Sequence, residues 1–287
     1  MRCRKPANAE LNCRQLALFA TGSPGPCLHP VNIVAIIQAR CGSSRLPNKV
    51  LMDIAGEPMF NRVVQRARQA LTLTEVVLAT STDRRDEPLA ALATRLGVRF
   101  WRGSENDVLN RFVDAANAFN ADVVVRLTAD CPLLDGTVID HIVQVFEETE
   151  GLDYASNTLN CTYPDGMDVE VIRLDALIRA HLEARLPSER EHVTPYICKH
   201  PELFSLRNVT HTPDLSVYRL TVDEAVDLEV VRQIYQHFHE PNFTFMDVIR
   251  FLVENPEVRQ LNHNLERNEG YRRALQNEGR TERAGPR

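Results

Sequence analysis

The sequence has no apolar run of the roughly 20 residues that a membrane span needs, so a soluble protein with no membrane partner is expected. It has no Cys-x-x-Cys pair either; its seven cysteines are scattered without regular spacing. An odd, unpatterned set excludes a disulfide framework and a zinc site, and predicts a reducing, cytoplasmic setting. A basic excess is also missing. Lys and Arg number 33 against 39 Asp and Glu, for a formal net charge of −6. That excludes nucleic acid as a general partner, because nothing is available to neutralise phosphates along a duplex. A local cationic pocket for one nucleotide is still compatible with an acidic whole. There is no internal repeat, no phosphate loop closed by Gly-Lys-Ser/Thr, and no glycine-rich dinucleotide fingerprint.

What is present is a chain of 287 residues with 44% hydrophobic content, enough for one large α/β domain or for one domain with a small appendage. Residues 1–30 lack periodicity and read as disordered or loosely attached. From residue 31, strand-like and helix-like stretches alternate: Ile33–Ile37, Glu57–Leu71, Glu75–Thr80, a helix around Leu89, Leu92 and Leu96, Val98–Trp101, Asp107–Asn120, Asp122–Thr128 and Gly136–Thr149. Such alternation implies a mostly parallel sheet covered by helices. The rhythm changes over 151–213. Further on, Tyr218–Val222 reads as a strand, Asp223 opens a helix, Phe245–Val253 is a last helix, and Asn268 onward is a polar tail. The main domain is expected over 31–255, with 256–287 as that tail.

One stretch organises the rest. Ile33–Ile37 is a buried strand, and a polar turn with Gly42, Ser43 and Ser44 follows it at once. Arg40, Arg45 and Lys49 add three cations within ten residues. A loop past the carboxyl end of a buried strand, with free donors and clustered cations, suits a polyphosphate. Arg forks onto phosphate oxygens, and Lys acts as a point charge.

The string Gln38-Ala39-Arg40-Cys41-Gly42-Ser43-Ser44-Arg45-Leu46-Pro47-Asn48-Lys49 resembles the motif of the nucleotide-sugar cytidylyltransferases. These are the acylneuraminate and 3-deoxy-manno-octulosonate enzymes and, more closely, the spore-coat polysaccharide biosynthesis protein F group. Arg126–Leu133 and Leu220–Leu228 resemble two later motifs of the same family, in the same order. The resemblance implies a Rossmann-like three-layer nucleotidyltransferase fold with a smaller inserted subdomain, 151–213, for acceptor binding and dimerisation. It implies transfer of CMP from CTP to the oxygen of a small acceptor, a sugar acid or related polysaccharide precursor, with release of pyrophosphate. Arg40, Arg45 and Lys49 would then be the catalytic cations. Ala39, Gly42, Ser43, Ser44, Thr80, Ser81, Arg102, Gly103 and Arg126 would bind the nucleotide. Asp168, Glu170 and His192 would bind the acceptor or pin the smaller subdomain. Two other readings compete: a nucleotidyltransferase using another NTP and a sugar 1-phosphate, and a non-catalytic nucleotide-binding protein of the same fold.

Phosphates attract a hard cation, and Mg²⁺ is commonly held by one or two carboxylates plus phosphate oxygens. Asp130 and Asp223 each follow a strand-like stretch, and the resemblance makes both Mg²⁺ ligands. Each also has a structural alternative. Asp130 precedes Cys131-Pro132 and suits a turn. Asp223 suits a helix N-cap, and Thr221 with Glu224 has capping-box spacing. Cys41 would be reactive if the nearby cations lowered its pKa. No general base is legible.

Overall fold

The computed structural model describes residues 30–239 and 242–284. Met1–Val31 and Asn32–Arg287 form separate units. The first lies almost wholly outside the described residues, and so does the expectation placed on 1–30.

The second unit is built on a seven-stranded sheet. Its strands are β1 (Ile33–Gln38), β4 (Glu75–Ser81), β5 (Phe100–Gly103), β6 (Val123–Thr128), β7 (Tyr154–Ser156), β8 (Glu170–Arg173) and β9 (Leu206–Asn208). The order across the sheet is β5-β4-β1-β6-β8-β7-β9. β5, β4, β1 and β6 are parallel neighbours, β8 is antiparallel to both β6 and β7, and β9 is parallel to β7. This is the mostly parallel α/β sheet that the alternation of elements predicted. β2 (Asp53–Ile54) and β3 (Glu57–Pro58) form a separate small hairpin. Ala55 and Gly56, with φ of 52° and 85°, make its two-residue turn.

Side chains of β1 point alternately to two cores, as the period of two requires. Ile33, Ala35 and Ile37 enter one core with α1 (Met59–Ala67), α2 (Glu87–Arg95), α4 (Gly136–Glu148), α8 (Ala225–Phe238) and α9 (Phe245–Glu254). Val34 and Ile36 enter the other with α3 (Val108–Ala118), α5 (Leu174–Glu183) and α7 (Pro195–Lys199). Three layers result. The short α6 (Pro187–His192) precedes α7, and α10 (Pro256–Gln260) and α11 (Glu269–Ala284) follow α9.

Several boundaries differ from the sequence reading. The helix expected over Glu57–Leu71 is shorter, because Glu57-Pro58 belongs to the hairpin. Val193, at φ 73°, separates α6 from α7. The tail from Asn268 is polar, as expected, but helical. Tyr218–Val222 is not a strand of the sheet. It makes a single bridge, Arg219 to Asp165, and its amides find carbonyls one at a time. Leu220 N donates to Asp165 O at 2.6 Å, and Val222 N donates to Asp130 O at 2.8 Å. Gly166, at φ 106°, permits this approach; a Cβ there would sit 2.7 Å from the Leu220–Thr221 peptide.

Candidate active site

β1 and β6 are neighbours, and the chain leaves them in different directions. The crevice beyond their carboxyl ends is the topological switch point of the sheet, where ligands of open α/β folds bind. A cavity of about 750 Å³ lies there.

The loop after β1 forms one wall. Its turn closes on Cys41, whose carbonyl accepts from Ser43 N and Asn48 N, both at 2.9 Å. Asn48 takes φ 59°, turning the chain into the short helix that carries Lys49. Among the described residues, the amides of Gly42, Ser44 and Arg45 donate to no group, so free donors remain in the loop. Arg40 is the most open of its three cations, 3.6 Å from Glu105 and 3.7 Å from Glu191.

Lys49 is buried. Its Nζ donates to Asp130 Oδ2 at 2.9 Å, to Asp223 Oδ1 at 3.0 Å and to the Val222 carbonyl at 2.8 Å. The two proposed metal ligands therefore come together about one shared cation. Arg45 Nη2 lies 2.7 Å from Asp223 Oδ1, and Arg219 Nη2 lies 3.1 Å from Asp223 Oδ2. Burial alone would raise the Asp130 carboxyl; the Lys49 ammonium overrides it and holds it at about 2. Burial likewise opposes the charge on Lys49, and the two carboxylates push its pKa above the ordinary value. Among the described residues no cluster of three or more metal-ligating side chains occurs. Two carboxylate oxygens beside a cationic loop are nevertheless the kind of donor set Mg²⁺ takes when substrate phosphates complete it.

Asp223 does not cap α8. Glu224 is the N-cap, boxed with Asp227, whose Oδ2 accepts from the amides of both Asp223 and Glu224 at 2.9 Å. The Thr221–Glu224 box is absent. Thr221 Oγ1 instead donates to the Asp130 carbonyl at 3.2 Å. Asp227 is fully buried and satisfied, so it relieves Asp223 of the capping role and frees its carboxylate for the crevice.

The far wall carries Asp168, Glu170 and His192. Arg126 on β6 and Glu170 on β8 are directly opposite in register and form a cross-strand ion pair. Glu170 also accepts from Tyr154 Oη at 2.7 Å and from Thr194 Oγ1 at 2.6 Å. Its carboxylate is thus occupied by three donors, Arg126 among them. Asp168 pairs with Arg267. His192 lies at the end of α6, with Nε2 buried and unpartnered. Burial, reinforced by Arg126 and Arg40, lowers its pKa against the opposing pull of Glu191 and Glu170, which favours the neutral imidazole.

The crevice brings together Ala39, Arg40, Ser43, Ser44, Arg45, Lys49, Arg126, Asp130, Asp168, Glu170, His192 and Asp223. Gly42, Thr80, Ser81, Arg102 and Gly103 do not line it. Ser81 donates to Asp86, and Arg102 donates to the carbonyls of Ser81 and Asp83, both at 2.9 Å. Thr80 is buried, with its hydroxyl unpartnered.

Asp86 escaped the sequence reading. It accepts from Cys41 N at 2.6 Å and from the Ser81 hydroxyl, and so ties the loop after β1 to the end of β4. Nothing in its local pattern marks it; it sits in a short turn before α2. Its effect on Cys41 reverses an expectation. Burial, then the Asp86 carboxylate, push the thiol up to about 11. Cys41 is therefore expected to stay unmodified by iodoacetamide at pH 7 in the folded protein and to react once the protein is unfolded. Peptide mass mapping checks this, and rapid native alkylation would contradict it.

A cationic loop and two convergent aspartates at the switch point of a three-layer α/β sheet define a nucleotidyltransferase-type enzyme. A family model described as cytidylyltransferase matches residues 34–255. An uncharacterized protein of Methanocaldococcus jannaschii is 36% identical over 244 residues, covering 84% of this chain and 98% of that protein. The spore coat polysaccharide biosynthesis protein SpsF of Bacillus subtilis is 35% identical over 235 residues, covering 79% of this chain and 96% of that protein. A solved structure of a cytidylyltransferase from Leptospira borgpetersenii matches with a TM-score of 0.78 at 32% identity, covering 82% of this chain and 98% of that one. The chain belongs to the cytidylyltransferase family, enzymes that transfer a cytidylyl group from CTP. No helix among the described residues is long and apolar enough to cross a membrane.

Proposed function

We propose that this enzyme transfers CMP from CTP to an acceptor oxygen of a sugar acid or related polysaccharide precursor and releases pyrophosphate. The observation that carries the reading is the meeting of Arg45, Lys49, Asp130 and Asp223 at one crevice. The acceptor oxygen attacks the α-phosphorus, the bond to the pyrophosphate oxygen breaks, and the acceptor proton passes to solvent. Negative charge builds on the phosphoryl oxygens and the leaving group, so positioning and charge stabilisation do most of the work. Arg40, Arg45 and Lys49 bind the triphosphate and steady the departing pyrophosphate. The free amides of Ser44 and Arg45, with the hydroxyls of Ser43 and Ser44, supply further donors. Ala39 lines the crevice and contacts the nucleotide; Thr80, Ser81, Arg102 and Gly103 do not line it and act only through the loop, which Ser81 reaches by way of Asp86. Asp168, Glu170 and His192 face the acceptor, with Glu170 acting through Arg126.

Asp130 and Asp223 would hold Mg²⁺, which supplies charge neutralisation on the phosphates. Pyrophosphate release with each of the four NTPs, across a panel of acceptors, tests the reading. CTP with a sugar acid should be the productive pair. Turnover of another NTP with a sugar 1-phosphate would replace it, and CTP binding without turnover of any acceptor would favour a non-catalytic role.

The scattered cysteines support work in the cytoplasm. We further propose a homodimer built on 151–213, the region that departs from the α/β rhythm. Light scattering should give twice the chain mass at micromolar concentration. A monomer mass at every concentration would refute it.

A further inference from the structure

The segment after α10 lies beyond the part of the chain that matches the family model, which ends at residue 255. It nevertheless returns to the crevice. Asn262 Nδ2 donates to Asp227 Oδ1 at 2.9 Å, and Arg267 pairs with Asp168. α11 then begins inside the crevice, with Asn268, Glu269, Gly270 and Tyr271 among its lining. Glu269 Oε2 accepts from Arg45 Nη1 at 3.0 Å, while Asp223 Oδ1 lies 2.7 Å from Arg45 Nη2. The two ends of the Arg45 fork are thus tied to carboxylates from opposite walls. Arg273, one turn on, holds the other oxygen of Glu269. The Tyr271 ring meets His192 edge-on, centroids 5.1 Å apart. Glu278 fastens the helix to α6 by accepting from the Ser188 hydroxyl at 2.9 Å.

We propose that the turn Asn268–Tyr271 completes the active site. Glu269 is the positioning residue that aims Arg45 at the triphosphate, and Tyr271 is the wall on which the acceptor lies beside His192. The assignment rests on the cytidylyl-transfer reading. An arginine has several rotatable bonds, and its charge stabilises a transition state only if the guanidinium is already in place. Asp223 and Glu269 hold Nη2 and Nη1, Glu224 lies 3.8 Å from Nε, and the second N–H of each Nη is left for a phosphate oxygen. Tyr271 is the only Phe, Tyr or Trp among the described residues that line the crevice. It therefore supplies the one broad apolar face there, and its position against His192 puts that face on the acceptor side.

The test uses the full chain and three variants: Glu269→Gln, Tyr271→Ala and Tyr271→Phe. CTP affinity is read by calorimetry, acceptor KM and kcat by pyrophosphate release, and Tm by thermal melt. Glu269→Gln should weaken CTP binding about tenfold and lower kcat, the scale of one charge-assisted hydrogen bond at a partly exposed site. Its acceptor KM and Tm should not move. Tyr271→Ala should raise acceptor KM about tenfold, a loss of ring contact, with CTP affinity unchanged, and Tyr271→Phe should restore it. Unchanged or tighter CTP binding by Glu269→Gln would overturn the positioning role, tighter binding meaning that Glu269 only competes with the triphosphate. Parallel loss of both substrates and of Tm in Tyr271→Ala would overturn the acceptor wall. If the wild-type protein itself fails to bind CTP, the cytidylyl-transfer reading fails instead.

Discussion

Lys49→Ala is expected to lower turnover by about 10²–10³, the scale for losing one preorganised charge-stabilising donor. It should also destabilise the metal-free protein by about 2–3 kcal/mol. Removing one partner of a buried ion pair costs about 3–5 kcal/mol. The lower figure applies here because Asp130 and Asp223 keep side-chain exposures of 28% and 19%, and because Arg45 and Arg219 stay on Asp223. Urea denaturation checks the stability and pyrophosphate release the turnover. The pH dependence follows from the same pair. The Asp130 carboxyl is held at about 2, below its unfolded value, so its contribution is present above about pH 4 and fades as pH falls toward 2. Lys49 is raised, so its contribution is full below its ordinary 10.5 and is lost as pH rises beyond that. Both limbs of the stability curve should flatten in Lys49→Ala. Near-normal turnover in this variant would remove Lys49 from the mechanism.

Asp223→Asn and Asp130→Asn should each depress turnover by about 10²–10³ and raise the Mg²⁺ concentration needed for activity. For a helix cap, Asn would replace Asp at little cost. Asp223 is no cap. It faces Lys49, Arg45 and Arg219, so Asn removes a charge from among three cations. Asp223→Asn should therefore also destabilise the metal-free protein, by about 1–2 kcal/mol. Asp227→Asn is the informative contrast. It weakens the true capping box and a buried ion pair with Arg219, and should lower Tm more than it alters the Mg²⁺ requirement. Full turnover with wild-type Mg²⁺ dependence in Asp223→Asn would end the two-aspartate proposal and leave Asp130 as the candidate ligand.

Local sequence determined the parts of this protein whose physics is local. The run Ile33–Ile37 is apolar on both faces, so it became a central strand between two cores. The loop from Arg40 to Lys49 follows it at once, so its cations had to gather at that strand's carboxyl end. Asp130, two residues past β6, was legible for the same reason. Tertiary structure decided what lies between distant segments. Lys49 meets Asp223 across 174 positions, and no spacing rule connects them. Burial of that ammonium depends on packing, which the local sequence does not encode. Tyr218–Val222 has the composition of a strand, yet Asp165 and Asp130 offer it carbonyls off the sheet, so it docks there instead. The Thr221–Glu224 box had the right spacing and lost to Asp227, whose carboxylate reaches two amides at once. The segment after Asn268 reads as solvent-facing because it is polar. Glu269 finds its partner in the crevice only once the sheet has brought Arg45 within reach.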